Sequence, residues 1–114
     1  MVLPTVGSVI LVPFPFSDLS QTKLRPALVV AKASHEDWIL CQITSNSYSD
    51  PFAIEMTNQD FREGSLRNTS YVRPGKIFTA HNSLIVSKVG SLKLESLTLI
   101  VDAIIGILQE GLAD

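Results

Sequence analysis

Two short pairs, Arg25-Pro26 and Thr44-Ser45, carry the residue types with which a protein grips a phosphodiester. A guanidinium presents a fork of donors matched to phosphate oxygens, and hydroxyls donate to the same oxygens as charge grows on them in a transition state. Pro26 restricts the backbone before it to extended conformations, which fixes Arg25 on the threshold of a strand. Thr44 and Ser45 stand at the far end of the next expected strand. If those two strands pair antiparallel, the start of one lies beside the end of the other. The guanidinium and both hydroxyls then meet at one end of the sheet, next to the polar Phe14–Leu24 segment. The same residue types also fit a plainer role, an arginine that caps loop carbonyls beside hydroxyls that make a turn. The residues alone leave both open.

Other chemistries find little support. His35 and His81 are far apart in sequence and neither sits in a metal-ligand spacing; both read as turn residues. Cys41 alternates with apolar neighbours in an expected strand, so it reads as a buried, inert thiol, and a single cysteine excludes an internal disulfide or a multi-cysteine zinc site. There is no nucleophile elbow, no phosphate-binding glycine loop and no Cys-x-x-Cys.

The elements that must position Arg25 and Thr44 are mostly short strands. Ser8–Val12 is a β-branched apolar run ended by Pro13 and Pro15. Phe14 to Arg25 reads as a polar loop, long for a compact domain. Ala27–Ala31 and Trp38–Ile43 read as strands joined by the Lys32–Asp37 turn, with a second polar loop over Thr44–Pro51. Ala53–Met56, Ser70–Arg73, Ile77–Thr79 and Leu84–Val89 are further strand candidates, punctuated by Gly64, Pro74-Gly75 and Gly90. Then the period changes: Leu97, Ile100, Val101, Ile104, Ile105 and Leu108 form one apolar helical stripe, with Glu95 near its start and Gly111 placed to stop it. Lys93 is a poor N-cap, and Gly106 costs about 1 kcal/mol against Ala. Many short strands followed by one helix imply a mainly β fold, a small barrel with a C-terminal helix packed on it.

With 114 residues the expectation is one domain, and 46 % apolar against 18 % charged residues is globular composition, which excludes a disordered chain. No signal peptide is expected at the start. The last apolar run, interrupted by Asp102, reads as too short to span a membrane, so a soluble cytoplasmic protein is the expectation. The net charge of −2 hides a segregation: residues 61–93 carry six basic groups, Arg62, Arg67, Arg73, Lys76, Lys88 and Lys93, against Glu63 alone, whereas residues 94–114 carry acidic groups only. A basic middle suits a polyanion if its charges share a face; scattered over the surface, they do no more than solvate it.

The segments GSVILVPFPF (7–16), SDLSQTKLRPALVV (17–30) and LCQITS (40–45), with GSLRNTSYVRPGKI (64–77) and the helix over Ser91–Leu108, resemble the PemK/MazF toxin family in order and spacing across essentially the whole chain. The resemblance implies an SH3-like barrel, usually homodimeric, that cuts single-stranded RNA at short sequences. It implies a cognate antitoxin whose flexible segment fills the RNA groove, and operator DNA bound by the toxin–antitoxin complex. It implies catalysis without a metal or cofactor, the ribose 2′-hydroxyl attacking the adjacent phosphate. Carried onto this chain, Arg25 stabilises the phosphorane and acts as acid, Thr44 binds the phosphate and Ser45 supports it. Phe16, Ser20, Lys23, Arg73 and Lys76 are the expected substrate-binding residues: Phe16 for stacking a base, Arg73 and Lys76 for flanking phosphates, and the segment up to Lys23 for gating access. The bland role for Phe14 and Phe16 is core filling. The chain departs from some relatives in having Gly75 where they place an acidic residue, and in lacking a first-loop His; Asp18 is a weak candidate for the general base. Two other readings fit the same fold: a CcdB-like gyrase poison, disfavoured because the sole tryptophan is Trp38, and a catalytically silent barrel that only binds nucleic acid or antitoxin.

Overall fold

The computed structural model describes residues 3–14, 23–47 and 49–113. Strand β1 (Ser8–Phe14) pairs antiparallel with β2 (Lys23–Lys32), which pairs with β3 (Asp37–Thr44). They are followed by β4 (Ile54–Met56), β5 (Phe61–Gly64), β6 (Ser70–His81), β7 (Ser87–Leu92) and helix α1 (Leu94–Ala113). All the strands join one antiparallel sheet in the order β4-β6-β3-β2-β1-β7-β5. The chain's first and last strands are neighbours there, so the sheet curls around a core.

Alternation along β1, β2 and β3 divides their side chains between two clusters. Val9, Leu28, Cys41 and Ile43 join Met56, Phe61, Val72, Leu92 and Ile100, which seals α1 onto the sheet. Ile10, Val12, Ala27, Val29, Trp38 and Leu40 face the other way with Phe14, Ala80 and Ile85. Phe14 is thus a core residue, its ring edge-on to Phe78 at 5.0 Å; Phe16 lies outside the described residues.

Three expectations are corrected. Ser70–Arg73 and Ile77–Thr79 are not separate strands but parts of β6, because Ile43 pairs with Val72 while Cys41 pairs with Ile77. Arg73, Pro74, Gly75 and Lys76 therefore stand opposite Gln42 alone, a wide bulge that lets Pro74 sit where no ladder hydrogen bond is needed. The strand expected over Leu84–Val89 begins instead at Ser87, since the His81 ring accepts from the Ser83 amide and winds residues 82–84 into a 3-10 turn. Gly90 lies inside that strand, not at its end: a Cβ there would come within 2.7 Å of the Glu63 carbonyl of β5. Strand β5 itself escaped the sequence reading. It ends at Gly64, where φ is +71° and a Cβ would sit 2.1 Å from the Val89 carbonyl.

The helix is longer than the pattern implied. It runs through Gly111 to Ala113 and is long and apolar enough, by length and composition, to cross a membrane, where the sequence reading expected too short a run. In this fold it is a packed helix along one edge of its stripe: Ile100 is buried, and Leu97 and Ile104 pack against the core. Ile105 and Leu108, expected on the same buried face, are exposed together with Leu94, Leu99 and Leu112.

Candidate functional site

The β2–β3 ladder pairs Ala27 with Gln42 and Leu28 with Cys41, and extending that register two residues past its last pair puts Arg25 level with Thr44, both of which line the same hollow. On its other side Arg25 pairs with Val12 of β1, and Thr44 pairs with Tyr71 of β6. The two functional candidates thus end adjacent strands at one rim. Pro26 helps to set that rim, because β2 pairs with β1 through it while its ladder to β3 starts at Ala27, so no donor is missing.

At this rim Arg25, Pro26, Thr44, Ser45 and Ser70, with the Leu66–Asn68 stretch, enclose a hollow of about 210 Å³. Arg25 is exposed and makes no ion pair among the described residues. Thr44 is only 7 % exposed. Its Oγ1 accepts from the Asn46 amide at 3.3 Å, which orients the hydroxyl and leaves its proton for a ligand. Ser70 is buried and its Oγ donates to the Asn68 carbonyl at 3.0 Å, fixing the opposite wall. The lining holds two guanidiniums, Arg25 and Arg67, three hydroxyls and one amide, with no carboxylate or imidazole among its described residues. Such a set holds a phosphate through charge-assisted hydrogen bonds and keeps doing so as the phosphorus gains a fifth oxygen.

Of the residues that line this hollow, sequence reasoning named Arg25, Thr44 and Ser45 and did not name Leu66, Arg67, Asn68 or Ser70. The basic middle of the chain pointed at Arg67, but nothing local tied it to this rim. Lys23 lies two residues before Arg25 on the same side of β2, exposed and opposite Phe14. Phe16, Ser20 and Asp18 lie outside the described residues.

Arg73 and Lys76 line a second hollow of about 530 Å³ with Gln42, Ile77 and Phe78. Gln42, in this second hollow, is one pleat repeat along β3 from Thr44 of the rim hollow and on the same sheet face. Arg73 is committed elsewhere: its Nε donates to Asp50 Oδ2 at 2.8 Å. The Arg73 guanidinium holds the Asp50 carboxyl below its usual range, overcoming the opposing effect of partial burial. Lys76 is exposed without an ion pair among the described residues. Cys41 lies beneath, donating from Sγ to the Arg73 carbonyl; burial pushes its thiol up to about 12, so it is inert as the sequence implied. His81 sits apart at the β6 end, bonded to Glu36 and Ser83, and the described residues contain no cluster able to hold a metal.

No curated protein matches the sequence. Solved structures share the fold. A mycobacterial endoribonuclease in complex with its cognate antitoxin superimposes with a TM-score of 0.71 at 18 % identity, covering 96 % of both chains. MazF in a MazE-MazF complex from Deinococcus radiodurans gives 0.74 at 18 % identity, covering 96 % of this chain and 98 % of that one. Mycobacterium tuberculosis toxin MazF-mt6 gives 0.65 at 15 % identity over 85 % and 91 %. At such identities these likenesses speak for the fold, and the family profile speaks for descent: it matches residues 5–108, both halves of the rim included, so the chain belongs to the PemK-like, MazF-like toxins of type II toxin–antitoxin systems.

Proposed function

We propose that the chain is an endoribonuclease that cuts single-stranded RNA at the rim hollow. The observation that supports this reading is the meeting of Arg25 with the oriented Thr44 hydroxyl in one hollow. In the reaction the ribose 2′-hydroxyl loses its proton to solvent water as its oxygen attacks the neighbouring phosphorus, and the bond to the 5′-oxygen breaks as that oxygen takes up a proton, leaving a 2′,3′-cyclic phosphate and a free 5′-hydroxyl. The nucleophile belongs to the substrate, so the protein must position it, stabilise the phosphorane and protonate the leaving oxygen. Arg25 neutralises the equatorial oxygens and stands near the leaving 5′-oxygen as the proton donor. Thr44 and Ser45 hydrogen-bond the phosphate, and Arg67 adds charge from across the hollow. Gln42 and Lys76 continue the track along β3 and hold a flanking phosphate; Arg73 reinforces it through its paired charge.

The guanidiniums supply the charge stabilisation that a metal supplies elsewhere, so the activity is expected to survive chelation. With EDTA present, the purified protein should cut an unstructured RNA. Arg25→Ala should slow this by about a hundredfold or more, as loss of a preorganised charge donor does. Thr44→Val, which keeps the buried volume, should also lose most activity. Cutting that persists at full rate in both variants would sink the reading.

The partners proposed with it are a cognate antitoxin that occupies the RNA track, operator DNA bound by the toxin–antitoxin complex, and a second copy of this chain. The apolar stripe left open on α1 supports the last. The site of action proposed is cytoplasmic mRNA.

A further inference from the structure

Behind the rim hollow lies a third hollow, of about 410 Å³, lined by Thr57, Asn58, Gln59, Arg67, Asn68 and Thr69 along with Leu66. The stretch Leu66–Asn68 lines both, so it forms a ridge between them. The chemistry changes across that ridge. Where the rim offers two guanidiniums and hydroxyls, this hollow offers the neutral amides of Asn58, Gln59 and Asn68, and the only cation among its described lining residues is Arg67 on the ridge itself. None of these three amide side chains makes a hydrogen bond among the described residues, although all are exposed.

Both walls are nonetheless held firmly. Thr57 Oγ1 accepts from the Gln59 amide, and Asp60 Oδ2 accepts from the Thr57 amide at 2.8 Å, closing the 3-10 turn that presents Asn58 and Gln59. Asp60 in turn accepts from the Ser96 hydroxyl at 2.9 Å, and its carbonyl accepts from the Lys93 amide, which ties the turn to the start of α1. The facing wall is held by Ser70 on the Asn68 carbonyl. Unspent amides on pinned backbone are a recognition surface with its ordering cost already met.

We propose that this hollow receives the nucleobase of a nucleotide flanking the scissile phosphate and selects it. A phosphate would call for cations, whereas a base edge alternates donors and acceptors, and an amide carries one of each in the spacing that pairs with it. Unstacked single-stranded RNA presents those edges, and Arg67 on the ridge holds the phosphate that links the selected nucleotide to the cut. The inference rests on the ribonuclease reading above and adds where its sequence choice is made.

The test is to digest a random-sequence RNA pool in EDTA and sequence the cut ends, comparing wild type, the Asn58→Ala/Gln59→Ala double variant and Gln59→Glu. The wild type should show a preferred base at one flanking position that the double variant loses, its discrimination there falling by about tenfold while preferences elsewhere persist. Gln59→Glu, which replaces a donor by an acceptor, should change which base is favoured. Matching melting temperatures confirm folding. A wild type that cuts, beside variants with superimposable preferences at every position, overturns this inference alone; a wild type that cuts no RNA overturns the reaction and this inference with it.

Discussion

Arg25 and Arg73 show how one residue type takes two roles through its neighbours. Arg25 stands exposed at a rim whose described lining residues include no carboxylate and forms no ion pair among the described residues. Arg73 spends its Nε on Asp50, whose other carboxylate oxygen accepts from the Phe52 amide at 2.9 Å. That pair gathers the 50–52 turn against the β6 bulge and forms part of the wall near Lys76. Because Arg73 lowers the Asp50 carboxyl below its ordinary value, the pair contributes stability that is present above that value and lost as pH falls through the lowered one. Asp50→Asn should therefore be less stable than wild type by roughly 1 kcal/mol at neutral pH. Thermal melts from pH 7 downward should show the difference closing below the ordinary carboxylate range; a gap that stays constant into strong acid would show that the charge of Asp50 is not what stabilises the turn.

At the scale of elements, glycines separate structural necessity from tolerated cost. Gly64 ends β5 in a left-handed conformation against the Val89 carbonyl, while a Cβ at Gly106 in α1 would meet nothing within 4 Å. Gly106→Ala should stabilise the protein by about 1 kcal/mol, the intrinsic helix preference. Gly64→Ala should destabilise it by more than that, since the strand ending and the β5–β7 pairing would both have to shift. Chemical denaturation of the two variants checks the contrast, and equal effects would contradict the close approach seen at Gly64. The sheet is where the sequence was most legible. The alternation of Ser8–Val12, Ala27–Ala31 and Trp38–Ile43 marks strands, and the short turn between the last two makes them neighbours in the sheet, which is enough to bring Arg25 beside Thr44. Strand β5 was not legible, because its FREG sequence has one apolar residue and acquires its pairing only from β7.

At the scale of the whole molecule, the unfinished feature is α1. Leu94, Ile105, Leu108 and Leu112 fall on one line along it and are exposed, Leu112 at 87 %. A stripe of this kind is characteristic of an interaction surface, and a second copy of the chain is the occupant proposed above. Sedimentation at micromolar concentration should give the mass of a dimer, and Ile105→Glu/Leu108→Glu should give a monomer with an unchanged circular-dichroism spectrum. A wild type that sediments as a monomer would end the dimer proposal.

Residue order alone determined the strand-rich plan, the C-terminal helix and the meeting of Arg25 with Thr44 and Ser45, because these follow from side-chain period and from antiparallel pairing of successive strands. Tertiary structure decided the rest: that Leu66–Ser70 closes the hollow from the far side, that Arg73 turns to Asp50, and that only one edge of the α1 stripe reaches the core. Each of these depends on how segments far apart in the chain pack together, and the energies that settle such packing leave no periodic trace in the sequence that makes them.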